Sequence, residues 1–228
     1  MYYDPLYFIF ALPALILVIF AQWKVKSTYS KYSQVPNMMH ATGLEVAQRL
    51  LEANGLGYIS IQPAEGDLSD HYNPADKTLN LSRGVAYSSS VAALGIVAHE
   101  VGHAVQDATA FGLMRLRTAI VPVANLGSNL GYILFFLGLV MQFSGLIWAG
   151  IVLFSAAVVF TLVTLPVELD ASRRALDMLR ANGLVSTMEL DGARSMLTAA
   201  ALTYVAALAQ ALMQLLYMVF RAGSSRDD

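Results

Sequence analysis

The chain has 228 residues, of which 57% are hydrophobic and only 13% charged, with a net charge of −2 and no cysteine. Soluble domains carry about a quarter charged residues, so the composition points to a bilayer, and the length leaves room for a few spans and one small polar region rather than several domains. The missing cysteines exclude disulfides, thiolate metal sites and cysteine nucleophiles. No basic run is present, which argues against a nucleic-acid partner.

Pro5 to Trp23 contains no charged residue and is about long enough to cross the hydrocarbon core as a helix; residues 1–23 are read as an N-terminal transmembrane helix. Asp4 precedes the run and Lys24, Lys26 and Lys31 follow it, the reverse of a cleavable leader. The same lysines place the following segment on the cytoplasmic side by the positive-inside bias.

Residues 24–117 are read as a cytosolic α+β region. Thr42 to Ala53 has helical apolar spacing that stops near Gly55, predicting a short amphipathic helix. Tyr58 to Ile61 and Thr78 to Ser82 alternate apolar and polar residues, with Pro63, Gly66, Asn73, Pro74 and Asp76 as turn formers between them, predicting two strands. Ser88, Ser89 and Ser90 are positioned to cap a largely apolar helix from Val91 to about Asp107.

From Thr118 to Val167 there is no Asp, Glu, Lys or Arg, too long for one span and suited to two; residues 118–167 predict a transmembrane hairpin turning near Gln142 to Gly145. A hairpin returns to its starting side, so Glu168 is expected near Arg115, Arg117 and the helix before them. Residues 168–194 form a charged helical segment ending near Asn182-Gly183, residues 195–220 a last span, and residues 221–228 a polar tail without regular structure.

The chemistry centres on His99-Glu100-Val101-Gly102-His103. Positions i and i+4 share one helix face, so His99 and His103 can direct two imidazoles at one zinc ion, with Glu100 turned toward the water that attacks the substrate. Zinc lowers the pKa of such a water to about 7 and polarises a scissile carbonyl, and Glu100 serves as general base. A carboxylate is needed as third ligand, and two compete: Glu168 and Asp191. Glu168 is preferred, because a carboxylate at the mouth of a returning span is costly unless it has a partner; pairing with Arg173 or Arg174 would be the purely structural explanation. Asp170 is a candidate acceptor orienting a ligand imidazole. Leu79-Asn80-Leu81 would hold an extended substrate through main-chain bonds if it lay at a sheet edge. His71 and Tyr204 are candidates for stabilising an oxyanion, or for fixing a turn and packing a helix.

These residues resemble the neutral zinc membrane metallopeptidases typified by the bacterial protein YugP. The resemblance runs over nearly the whole chain and rests on Asp70-His71-Tyr72-Asn73-Pro74, Leu81-Ser82, Ala98 to Ala104 with Gln106, Val167 to Ser172 and Ala200 to Ala206. More distantly the layout is similar to gluzincin peptidases of the HtpX and CAAX-protease type, whose glutamate after a transmembrane hairpin completes the zinc site. Those relatives carry an aspartate four residues after that glutamate, where this chain has Ser172.

The resemblance implies a bacterial plasma-membrane protein with a proteolytic role and supplies no substrate; the chemistry calls for a peptide or membrane-protein substrate, and the lysines after the first span put the active site on the cytoplasmic side. The expectation is therefore a mainly α-helical integral membrane protein with about four transmembrane helices, a small α+β cytosolic insert, a zincin-type HExxH helix and one Zn2+ per chain. Two other readings are a zinc-stabilised membrane adaptor without proteolysis and a site-2-type intramembrane protease using Asp191. Four spans from an outward start put the C-terminus outside, so a topology reporter fused there is expected to register outside; a cytoplasmic signal would refute the orientation or the span count.

Overall fold

The computed structural model describes residues 5–224. They fall into two compact units, one of residues 5–22, 115–166 and 202–224, the other of residues 23–114 and 167–201. Most of the chain is helical: α1 (Pro5–Tyr32), α2 (Gly43–Ala53), α3 (Arg83–Ala86), α4 (Val91–Ala108), α5 (Gly112–Val140), α6 (Ser144–Ala181) and α7 (Thr187–Ser224), with strands β1 (Ser60–Ala64), β2 (His71–Asn73) and β3 (Thr78–Ser82). Four of the helices, α1, α5, α6 and α7, are long and apolar enough to cross a membrane.

In the first unit, α5 and α6 meet backbone to backbone. A Cβ added at Gly131 would stand 2.8 Å from the Gly150 carbonyl oxygen, and one at Gly150 2.6 Å from that of Gly131. Lipid offers no hydrophobic drive for helices to associate, so close approach through small residues supplies the van der Waals contact instead. Phe135, Ile147, Ile151, Phe154 and Met218 fill the buried cluster of this unit.

The second unit has an ordinary water-driven core. Thr42 and Glu45 close a capping box at the start of α2, satisfying two orphan N–H groups, and the apolar face behind it buries Val46, Ala47, Leu50 and Leu51. These pack with Leu79 and Leu81 of β3, Val97 and Val101 of α4, and Val167, Ala175 and Leu179 of α6. Each buried aliphatic side chain of this kind contributes about 1.5–3 kcal/mol. Ser90 caps α4 by accepting from the Ala93 N–H.

The sheet differs from the sequence expectation in three ways. It has three strands rather than two, because His71–Asn73, read as part of a turn, pairs antiparallel with β3; three residues are too few to show an alternating pattern. The first strand begins at Ser60 and includes Pro63, which an edge strand tolerates because no ladder bond is needed there. The order is β1-β3-β2, with β1 parallel to β3, so Leu79-Asn80-Leu81 lies in the central strand and the free-edge role envisaged for it is corrected. At the C-terminus α7 continues through Ser224, so the polar tail expected from Arg221 starts as helix; residues 225–228 lie outside the described part.

Helices α4 and α6 touch at Gly102, where an added Cβ would come within 2.7 Å of the Ala171 carbonyl oxygen. A Gly102→Ala variant is therefore expected to lose about 1–3 kcal/mol through overpacking and to melt below the parent. Gly112→Ala, where an added Cβ meets nothing within 4 Å, is expected to melt no lower than the parent, and thermal unfolding of both variants checks the contrast.

Candidate metal centre

His99 and His103 sit one turn apart on α4, their rings 4.8 Å apart and nearly perpendicular. Glu168 reaches them from α6, its Oε2 lying 3.1 Å from His99 Nε2 and 3.4 Å from His103 Nε2. With one ligand atom from each residue, the three atoms all lie within 4.8 Å of one another. Two ligands on a tetrahedral zinc, each at about 2.0–2.1 Å, stand roughly 3.3 Å apart. The observed nitrogen–oxygen separations of 3.1 and 3.4 Å match that edge length.

The charge balance agrees with the geometry. Glu168 is 1% exposed and Glu100 9%, and burying two carboxylates is expensive unless positive charge meets them. Burial pushes the Glu100 carboxyl above the usual carboxylate range; neighbouring Glu168 adds to the push, while His99, His103 and the Tyr72 N–H pull against it. Burial works against a charged His103, but Glu168 and Glu100 outweigh it and raise its pKa. Two neutral imidazoles and two carboxylates give a formal charge that a divalent cation cancels, so the residues present fit zinc.

The outer nitrogen of each imidazole is also engaged. His99 Nδ1 is 3.2 Å from Ser172 Oγ, and His103 Nδ1 is 2.9 Å from Gln106 Oε1. The Gln106 amide nitrogen in turn donates to the Val167 carbonyl at 2.8 Å and to Asp170 at 2.9 Å. Asp170 thus touches the histidines only through Gln106, which corrects its expected direct role. Its remaining capacity goes to Arg173 and, at 2.6 Å, to Arg174, so the two arginines once considered for Glu168 pair with Asp170.

Glu100 is held from the other side by β2, whose Tyr72 N–H donates to its Oε2 at 3.0 Å. The same strand is latched to α4 a second time: the Tyr72 hydroxyl donates to Asp107 at 2.7 Å, and Lys77 joins that carboxylate at 2.5 Å. The strand missed in the sequence therefore carries the contact that orients the proposed base.

The other candidates are not members of the metal-holding group. His71 is exposed, its Nδ1 2.8 Å from the Ser69 carbonyl. Asn80 donates to Thr78 Oγ1 at 3.0 Å within β3. Asp191 has a 67% exposed side chain, 3.5 Å from Arg194, and does not belong to the metal-holding group. Tyr204 lies on α7 in the first unit. Gln106 and Ser172 were not singled out as site residues. Their signal was helical spacing, Gln106 three residues after His103 and Ser172 four after Glu168, positions that share a face with the ligand.

Four helices long and apolar enough to cross a membrane and a group of two histidines and one glutamate that could hold a metal ion are the features of a membrane metalloprotein. A family described as "Putative neutral zinc metallopeptidase" matches residues 7–223. The chain is also 42% identical to the "Putative membrane protease YugP" of Bacillus subtilis (strain 168), over 98% of this chain and 99% of that one. No solved structure matches it. The chain belongs to the neutral zinc metallopeptidase family.

Metal content separates the two candidate third ligands. The Glu168→Ala protein is expected to purify with little zinc and the Asp191→Ala protein with the parent's content, as read by atomic emission. Full occupancy without the Glu168 carboxylate would overturn the ligand set.

Proposed function

We propose that the chain is a membrane-bound zinc metallopeptidase of the HExxH type, in which His99, His103 and Glu168 hold one zinc ion and Glu100 is the general base. The observation that carries the reading is the convergence of three ligand atoms within 4.8 Å beside the carboxylate of Glu100, which is itself held by the Tyr72 N–H.

When bound, zinc supplies Lewis acidity, lowering the pKa of a water and polarising the scissile carbonyl. Glu100 takes a proton from the attacking water as the water oxygen bonds to the carbonyl carbon, then delivers that proton to the amine nitrogen as the carbon–nitrogen bond breaks. The Tyr72 N–H keeps one carboxylate oxygen oriented throughout.

The proposed substrates are peptides or membrane proteins, a class in keeping with the proteolytic chemistry of the site and with the Bacillus relative's name as a membrane protease. The bacterial plasma membrane is the proposed location, with the active site on the cytoplasmic side as the lysines following the first span favour. Glu100→Gln is expected to keep its zinc while cleavage of a casein-like or unfolded membrane substrate falls by at least about a hundredfold. Equal cleavage by variant and parent would refute the mechanism.

A further inference from the structure

We infer that Gln106 is a positioning residue of the metal centre: its side-chain amide dictates which nitrogen of His103 carries the proton, and it ties the histidine-bearing helix to the backbone beside Glu168. The inference rests on the reading that His99, His103 and Glu168 hold zinc.

Gln106 has no exposed surface, and both ends of its amide are used. One end lies 2.8 Å from the Val167 carbonyl and 2.9 Å from the Asp170 carboxylate. Both partners accept only, so this end must be the NH2 group. The other end is then the oxygen, which can only accept, and it lies 2.9 Å from His103 Nδ1. Nδ1 must therefore carry a hydrogen, which leaves the lone pair of Nε2, the nitrogen facing Glu168, for the metal.

His99 is handled differently. Its Nδ1 faces the Ser172 hydroxyl at 3.2 Å, and a hydroxyl both donates and accepts, so it accommodates either tautomer. The stricter control is on His103. Gln106 itself cannot turn round, because Asp170 is clamped by Arg173 and Arg174 and rejects the amide oxygen. Val167 immediately precedes Glu168, so the bond that orients the amide also fixes the backbone next to the third ligand. One side chain thus sets the geometry of two ligands contributed by two helices.

The test uses the full-length chain in detergent, stripped of metal, and measures zinc affinity by chelator competition alongside thermal unfolding without metal. Gln106→Met keeps the volume and loses every hydrogen bond; Gln106→Glu keeps an acceptor for His103 and loses the NH2 group. Gln106→Met is expected to bind zinc about 10–100-fold more weakly than the parent. Gln106→Glu is expected to bind more tightly than Gln106→Met, though both melt lower than the parent. Parent-like affinity in Gln106→Met, or equal weakening in both variants, would overturn the inference while leaving the metal site standing. A parent that binds no zinc would instead overturn the metal reading, and the inference with it.

Discussion

A carboxylate that is 1% exposed cannot stay ionised in a protein interior without positive charge or donors beside it, and the second unit is organised around meeting that condition at Glu168. Two imidazoles converge on one of its oxygens, and the helix that supplies them is itself apolar on nearly every other face. Aliphatic packing of α4 against α2, the sheet and α6 stabilises the unit; the polar cluster costs stability unless a cation completes it. Such a division is common where folding free energy is spent on a functional site.

The cluster is held from two directions. From α6 come Glu168 and Ser172, with Gln106 of α4 bonded back to Val167 and Asp170. From the sheet comes β2, fixed to α4 through Tyr72 and Asp107 and through the Tyr72 N–H on Glu100. The close approach at Gly102 and Ala171 lets α4 and α6 come near enough for both sets of bonds to form. A bulkier residue at Gly102 would separate the ligands before it disturbed any single one of them.

The first unit follows different physics. Its helices are apolar on faces that remain exposed, such as Leu12, Ile16 and Ile19 of α1, as lipid contact requires, and α5 packs on α6 through Gly131 and Gly150. Here the glycines do what large aliphatic side chains do in the second unit, because in lipid only close contact, and not water exclusion, distinguishes a packed helix from a loose one.

What the sequence by itself determined is whatever depends on local pattern. Uncharged runs long enough to span a bilayer announce helices wherever they lie in the chain, and the i, i+4 histidine pair announces a shared face, since both signals are periodic along one element. The serines before Val91 marked a helix start because a cap lies next in sequence to the helix it begins. What only the tertiary structure decided is every relation between elements distant in sequence. It placed Glu168 rather than Asp191 against the histidines, set Leu79-Asn80-Leu81 in the middle of the sheet rather than at its edge, and gave the outer nitrogens of the imidazoles to Ser172 and Gln106 rather than to Asp170 directly. A three-residue strand has no periodic signature, and helical spacing puts Gln106 and Ser172 on the faces of their ligands without saying what they bond; their roles exist only once packing has brought α4, α6 and β2 together, because a hydrogen bond depends on distance in space and not on separation along the chain.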